Sequence, residues 1–439
     1  MWMSAGKFVF PGRRHWERIR TMYHKTVLEN GLRIISEELD HLKSVSLGIL
    51  VNAGSRDEDP EQNGISHFIE HMIFKGTRNR STFQIAKELD SIGGMSNAFT
   101  GKENTCFHAR VLGKHFDRLA DILSDIFLNS IFDPMEMERE RQVILQEISM
   151  VEDSPDEKVH VLLNRGFWKN HPLGLPILGS NETVAGIGKE TIHEYMNQNY
   201  GPENVIVAAA GNIQHKTLES YFRPLFETLE PGGAARDRIP PDSHAGISCL
   251  EKDHEQVHLC LGAEAPSMKD ERRYACALFN ILLGGNMSSR LFQEIREKQG
   301  LAYNVYSFHS TYCDSGMFGV YLATGNGNVN PALEIVRNEI RKIQEGDLTR
   351  DDLAAAKEHL EGGIYLSSEN PDNRMMRIAK NEIVFDRYVS YEELVDRMEK
   401  VSIDEVVEVA RDVFREGRVF LATLGNFSRE MIDTQHLPF

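Results

Sequence analysis

Cysteine is scarce in this chain, and its spacing supports no pairing. The five, Cys106, Cys249, Cys260, Cys276 and Cys313, are an odd number, lie far apart and form no C-x-x-C motif. That excludes a disulfide framework and a thiolate metal site, and it fits reduced, buried thiols in a reducing compartment. Long apolar runs are also missing. No stretch of 18 apolar residues occurs, so no membrane-spanning helix is expected. Basic charge is in deficit, with 49 Lys plus Arg against 66 Asp plus Glu and a net charge of -17. This argues against nucleic acid as a partner and would favour basic ligands. One locally basic stretch, residues 1–21, carries Lys7, Arg13, Arg14, Arg18 and Arg20 against Glu17. It has no apolar segment of the secretory kind and reads as a basic N-terminal extension or an organellar presequence, outside the fold.

What remains is ordinary for a globular protein with large cores: 439 residues, 41% hydrophobic and 26% charged. Residues 229–246 contain Pro231, Gly232, Gly233, Pro240 and Pro241 without apolar periodicity, and read as a linker. It separates an N-terminal region, 22–228, from a C-terminal region, 247–439. The two regions show the same order of elements. In the first, strand-like Leu32–Glu38 and Ser44–Val51 precede a helix from about Ile65, strands through Leu112 and a helix from Gly113 to Leu128. In the second, Gly246–Glu251 and Val257–Gly262 precede helices from Glu271, strands Ala302–Ser310 and Gly316–Ala323, and a helix from Pro331 to Gln344. Strands grouped beside helices predict an α+β fold of two homologous halves, each a mostly antiparallel sheet covered by helices on one face.

The chemistry concentrates in His67-Phe68-Ile69-Glu70-His71. Two histidines four apart lie one turn apart on the same helix face, and Glu70 stands between them on that stripe. The order His-x-x-Glu-His inverts the common zinc-protease motif. A helix from Asn63 to Lys75 would place Ile65, Ile69, Met72 and Ile73 on the opposite, apolar face. Two histidines are one ligand short of a catalytic zinc site. A second helix, opened by Asp133-Pro134 and running through Val151, carries Glu140 and Glu147 seven apart on one face, with Ile144 between them. Carboxylates on an apolar stripe are costly unless paired or bound to metal. Glu147 is therefore the expected third ligand, and Glu140 the expected hydrogen-bond support for a ligand histidine. The second half has no such motif; its equivalent helix reads Tyr274-Ala275-Cys276-Ala277-Leu278.

This set, with Glu147 following His71 by 76 positions, strongly resembles the pitrilysin family of zinc metallopeptidases. Further segments share the resemblance: Glu29–Leu32, Asn52-Ala53-Gly54-Ser55-Arg56, Phe74–Thr77, Asn97–Thr100, His171-Pro172-Leu173-Gly174 and Met287–Phe292. They span residues 25–430, and by size the chain is similar to bacterial homologues of the mitochondrial processing peptidase β subunit.

The resemblance implies one Zn²⁺ per chain, held by His67, His71 and Glu147, with Glu70 as general base. A zinc-ligand role for Glu70 is the competing reading. It implies that Asn97 and Ala98 hold substrate by strand addition. It also implies that Arg296 and Tyr303, in the metal-free half, bind substrate backbone across a chamber, with Tyr303 stabilising the oxyanion. Glu157 aligns with an acid that reads a substrate arginine, while the second such position is Val161. The expected partners are short or unfolded peptides, basic ones included. A homodimer in the bacterial cytoplasm is expected; a heterodimer with an inactive homologue, a non-catalytic assembly role and a mitochondrial matrix location are the alternatives.

Overall fold

The computed structural model describes residues 22–233 and 237–433; the basic extension, residues 1–21, lies outside them. The first sheet contains β1 (Met22–Val27), β2 (Arg33–Glu38), β3 (Ser44–Val51), β4 (Met95–Thr100), β5 (Thr105–Leu112) and β6 (Val205–Gly211). The second contains β7 (Gly246–Glu251), β8 (Val257–Glu264), β9 (Ala302–Thr311), β10 (Gly316–Thr324) and β11 (Val419–Gly425). The orders are β1-β2-β6-β3-β5-β4 and β7-β11-β8-β10-β9. Apart from the added β1, they are the same order. Each has a single parallel pair, β2 with β6 and β7 with β11, and is otherwise antiparallel. The expected α+β pair of halves is what the chain forms.

Each half's own helices cover one face of its sheet. In the first, Val45, Leu47, Ile49 and Val51 of β3 point into a core closed by the helices Ile65–Met72 and Phe116–Asn129. In the second, Leu259, Leu261, Phe318 and Val320 meet the helices Arg273–Leu283 and Val329–Gln344.

The other face of each sheet is closed by one helix lent by the opposite half. Helix Pro371–Phe385 sets Met375, Ile378 and Ala379 against Ile35, Leu50, Cys106, Ile206, Ala208 and Ala210 of the first sheet. Ion pairs flank this contact: Lys25 to Glu382 at 2.7 Å and Arg374 to Glu37 at 2.8 Å. In return, helix Pro155–Phe167 sets Val159, Leu163 and Phe167 against Cys260, Met317, Tyr321, Phe420 and Ala422 of the second. Burial on both faces explains why β3 and β6 read as nearly continuous apolar runs rather than alternating ones. A Cβ at Gly166 would stand 2.0 Å from Phe420 Cζ, so the second contact needs glycine.

Three local expectations change. The histidine helix runs only from Ile65 to Met72: Gly64, at φ 99°, a left-handed conformation that ends the preceding loop, sets its start, and Ile73 is its C-cap. Of the stretch read as a linker, the part from residue 237 is tied down by Arg238, whose guanidinium pairs with Asp57 at 2.8 Å. All five cysteines are free, but Cys249 and Cys313 are only half-buried.

Candidate metal centre

Two helices build the centre. Ile65, Phe68, Ile69 and Met72 anchor the first in the core, and Met137, Ile144 and Ile148 anchor the second, Pro134–Asp153, beside it. The Asp133 carboxylate caps that second helix, accepting from the Met135 and Glu136 amides at 2.9 and 3.2 Å. Glu58 holds the start of the histidine helix. Its carboxylate accepts from Gly64 N and Asn63 Nδ2 at 2.8 Å and from Ser66 N at 2.9 Å. The Gly64 and Ser66 amides are backbone donors that a helix start leaves without an internal partner.

The faces so presented meet. His67 Nε2 and His71 Nε2 each lie 3.6 Å from Glu147 Oε2. Those separations are too long for hydrogen bonds. Ligand atoms about 2.1 Å from a tetrahedral zinc stand about 3.4 Å apart, so the spacing suits an ion between the three groups. Burial, with a smaller contribution from the neighbouring His71, pushes His67 down to about 4, which keeps its imidazole neutral, the form that binds metal. His71 Nδ1 lies 3.0 Å from Glu140 Oε2, and Lys75 Nζ lies 2.6 Å from Glu140 Oε1. A carboxylate accepts, so Nδ1 carries the hydrogen and Nε2 presents its lone pair toward Glu147. The donor set therefore fits zinc.

Glu70 stands outside the trio of His67, His71 and Glu147. Its Oε2 accepts from Thr100 Oγ1 at 2.6 Å. Burial raises its pKa, against the pull of the Thr100 hydrogen bond and of His71.

The remaining sequence-derived residues fall in two places. Asn97 and Ala98 are on β4, the free edge of the first sheet, whose last residue is Thr100. Arg296 and Tyr303 pair with each other, the guanidinium 4.4 Å from the ring centroid, at the free edge of the second sheet. Tyr303 is 77% exposed. Among the described residues, neither has a hydrogen bond or ion pair to the four residues of the centre. Glu157 is exposed in the first turn of the lent helix Pro155–Phe167. Sequence reasoning missed Glu58, Lys75 and Thr100. Glu58 lies six residues ahead of Gly64, beyond any capping pattern, and Thr100 reaches Glu70 only through the folded sheet.

Two α+β halves with one inverted-motif metal centre define the architecture of a metallopeptidase. The chain belongs to the insulinase family, peptidase family M16: that family's profile matches residues 33–181, and the M16 inactive-domain profile matches residues 186–360. The zinc protease YmxG of Bacillus subtilis is 40% identical over 90% of this chain and 96% of its own length. A zinc protease of Streptomyces coelicolor is 38% identical over 94% of this chain and 91% of its own. A Helicobacter pylori protease of known structure shares the fold, with a TM-score of 0.86 at 21% identity over 92% of this chain and 99% of that one.

Proposed function

We propose that this chain is a processing-peptidase-like zinc endopeptidase acting on short or unfolded peptides. The observation that carries the reading is the convergence of two imidazole Nε2 atoms and one carboxylate oxygen, with a second, half-buried carboxylate, Glu70, on the same helix as the histidines. His67, His71 and Glu147 would hold the ion, one per chain. Bound zinc supplies a Lewis acid that polarises a scissile carbonyl and acidifies water. Glu140 and Lys75 orient His71. Glu70, with a raised pKa and one oxygen fixed by Thr100, takes a proton from the attacking water and returns it to the leaving amine. The free edge of β4 offers backbone groups for an added peptide strand, with Asn97 and Ala98 at the contact.

The exposure of Tyr303, with the half-buried Arg296 guanidinium against its ring, supports a substrate-binding role for the region 247–439, set against the metal-bearing region 22–228, in a chamber completed by a second copy or by a catalytically silent homologue. The free thiols suit a reducing compartment such as the bacterial cytoplasm. Glu157 is placed to meet a basic side chain only if substrate runs along the start of its helix. No helix among the described residues is long and apolar enough to cross a membrane.

The test is cleavage of a quenched peptide library by the full chain, with its Glu70→Gln variant as control. Glu70→Gln should keep one zinc per chain and lose about 10²- to 10⁴-fold in kcat. Loss of stoichiometric zinc in that variant would make Glu70 a ligand instead, and chelator-insensitive cleavage would remove zinc from the chemistry.

A further inference from the structure

Two segments that carry the family resemblance, 52–56 and 171–174, take no part in the metal centre. They converge on one guanidinium. Arg56 is 5% exposed. Its NH1 donates to Glu103 Oε1 at 2.6 Å and to Asp314 Oδ1 at 2.7 Å. Its NH2 donates to Asp314 Oδ2 at 2.6 Å and to the Ile239 carbonyl at 2.8 Å. That same carbonyl accepts from His171 Nε2 at 3.0 Å.

The partners come from both halves and the segment joining them. Glu103 is at the tip of the β4–β5 hairpin, Asp314 in the β9–β10 turn, and Ile239 between the two sheets. The Cys313 amide donates to Glu103 Oε2 at 2.9 Å, tying the two tips directly. Arg238 forms a second fork on Asp57, at 2.9 and 2.8 Å, and donates to the Glu103 carbonyl at 2.7 Å. Glu103, Cys313 and Asp314 are close enough together to hold a cation. The Arg56 guanidinium already stands among them, so the cluster is an ionic latch rather than a second metal site.

The latch reaches the metal centre through the backbone. Ser55 N donates to the Gly101 carbonyl at 3.1 Å and Arg56 N to the Lys102 carbonyl at 2.7 Å. A Cβ at Gly54 would stand 2.4 Å from the Gly101 oxygen, so the loop 54–56 lies flat against the hairpin tip. Gly101 follows Thr100, and Thr100 holds Glu70.

We propose that Arg56 is a positioning residue for peptide cleavage: it locks the β4–β5 tip to the β9–β10 turn, so that Thr100 keeps Glu70 in register with the metal ligands. The inference rests on the peptidase reading of that centre. A two-pronged guanidinium–carboxylate pair fixes direction as well as distance, which a lysine ammonium does not. Without the cation, Glu103 and Asp314 would face each other as like charges, and the two tips would separate.

The experiment compares zinc-loaded full chain with Asp314→Asn and Arg56→Lys, using a quenched peptide and amide hydrogen exchange. Both variants should keep zinc and fold, lose about 10- to 100-fold in kcat with KM changed less than about threefold, and exchange faster at amides 99–103. Asp314→Glu should recover part of the loss. Should Arg56→Lys fail to fold, Asp314→Asn decides alone. An unchanged kcat in folded, zinc-loaded Asp314→Asn overturns the proposal, whatever the exchange shows. If the parent chain cuts no peptide, the peptidase reading fails separately. In that case faster exchange at 99–103 still supports the latch, and unchanged exchange overturns it.

Discussion

Glu58 sits between two opposed effects. Three N–H donors favour its carboxylate form, while near-complete burial penalises it. Burial is the larger effect and pushes the group up from 4.5 to about 7. The carboxyl therefore holds its proton more tightly in the folded chain than in the unfolded one. Its contribution to stability is fully present below about pH 4.5 and is lost as the pH rises through 7, on the order of 3 kcal/mol in all. Urea unfolding of chelator-treated chain from pH 5 to 8 should show the parent losing stability relative to Glu58→Gln. Parallel curves for the two would show that Glu58 does not titrate in this window. The candidate centre is readable from sequence because His67, Glu70 and His71 share one helical turn, and Glu140 and Glu147 share one stripe. Glu58, Thr100 and Arg56 were not assigned these roles, because their partners lie on other elements. Arg56 and Asp314 are separated by 258 positions.

At the scale of elements, the two lent helices were the least legible feature. The strands and the covering helices follow from periodicity and burial. An amphipathic helix, however, states only that it has an apolar face, not which sheet will receive it. Val159, Leu163 and Phe167 would fit either half by pattern alone. Gly166 is the local sign, since a glycine inside a helix costs about 1 kcal/mol relative to alanine and so asks for a reason. The reason is Phe420, whose ring occupies the place of a Cβ. On an exposed helix Gly166→Ala would stabilise. Here it should destabilise by about 1–3 kcal/mol through overpacking. Adding Phe420→Leu should cancel part of that loss, a non-additivity that denaturant melts of the four chains in the cycle would measure. Simple additivity would mean that the helix is not seated on Phe420.

The exchange predicts that the two halves fold as one unit. Cutting the chain between residues 233 and 237 would leave the first sheet without the helix Pro371–Phe385, baring Ile35, Leu50, Cys106 and Ile206 together with Ala208 and Ala210. At about 1.5–3 kcal/mol for each large side chain, the loss is on the order of 10 kcal/mol. That equals the whole stability of a typical domain. The charges Lys25 and Glu37 would lose Glu382 and Arg374 at the same time. The same fragment would carry Val159, Leu163 and Phe167 on a helix with nothing to cover. Although it contains all three proposed ligands and Glu70, residues 22–233 made alone should be insoluble or molten, bind a hydrophobic dye and hold no stoichiometric zinc. Co-expression with residues 237–433 should restore a soluble, zinc-binding pair. A soluble first fragment with a cooperative melt and one zinc would show that the exchanged helices are an accessory to two independent domains. The reciprocal packing predicts the opposite: each half carries the helix that closes the other's sheet, so neither completes its core alone.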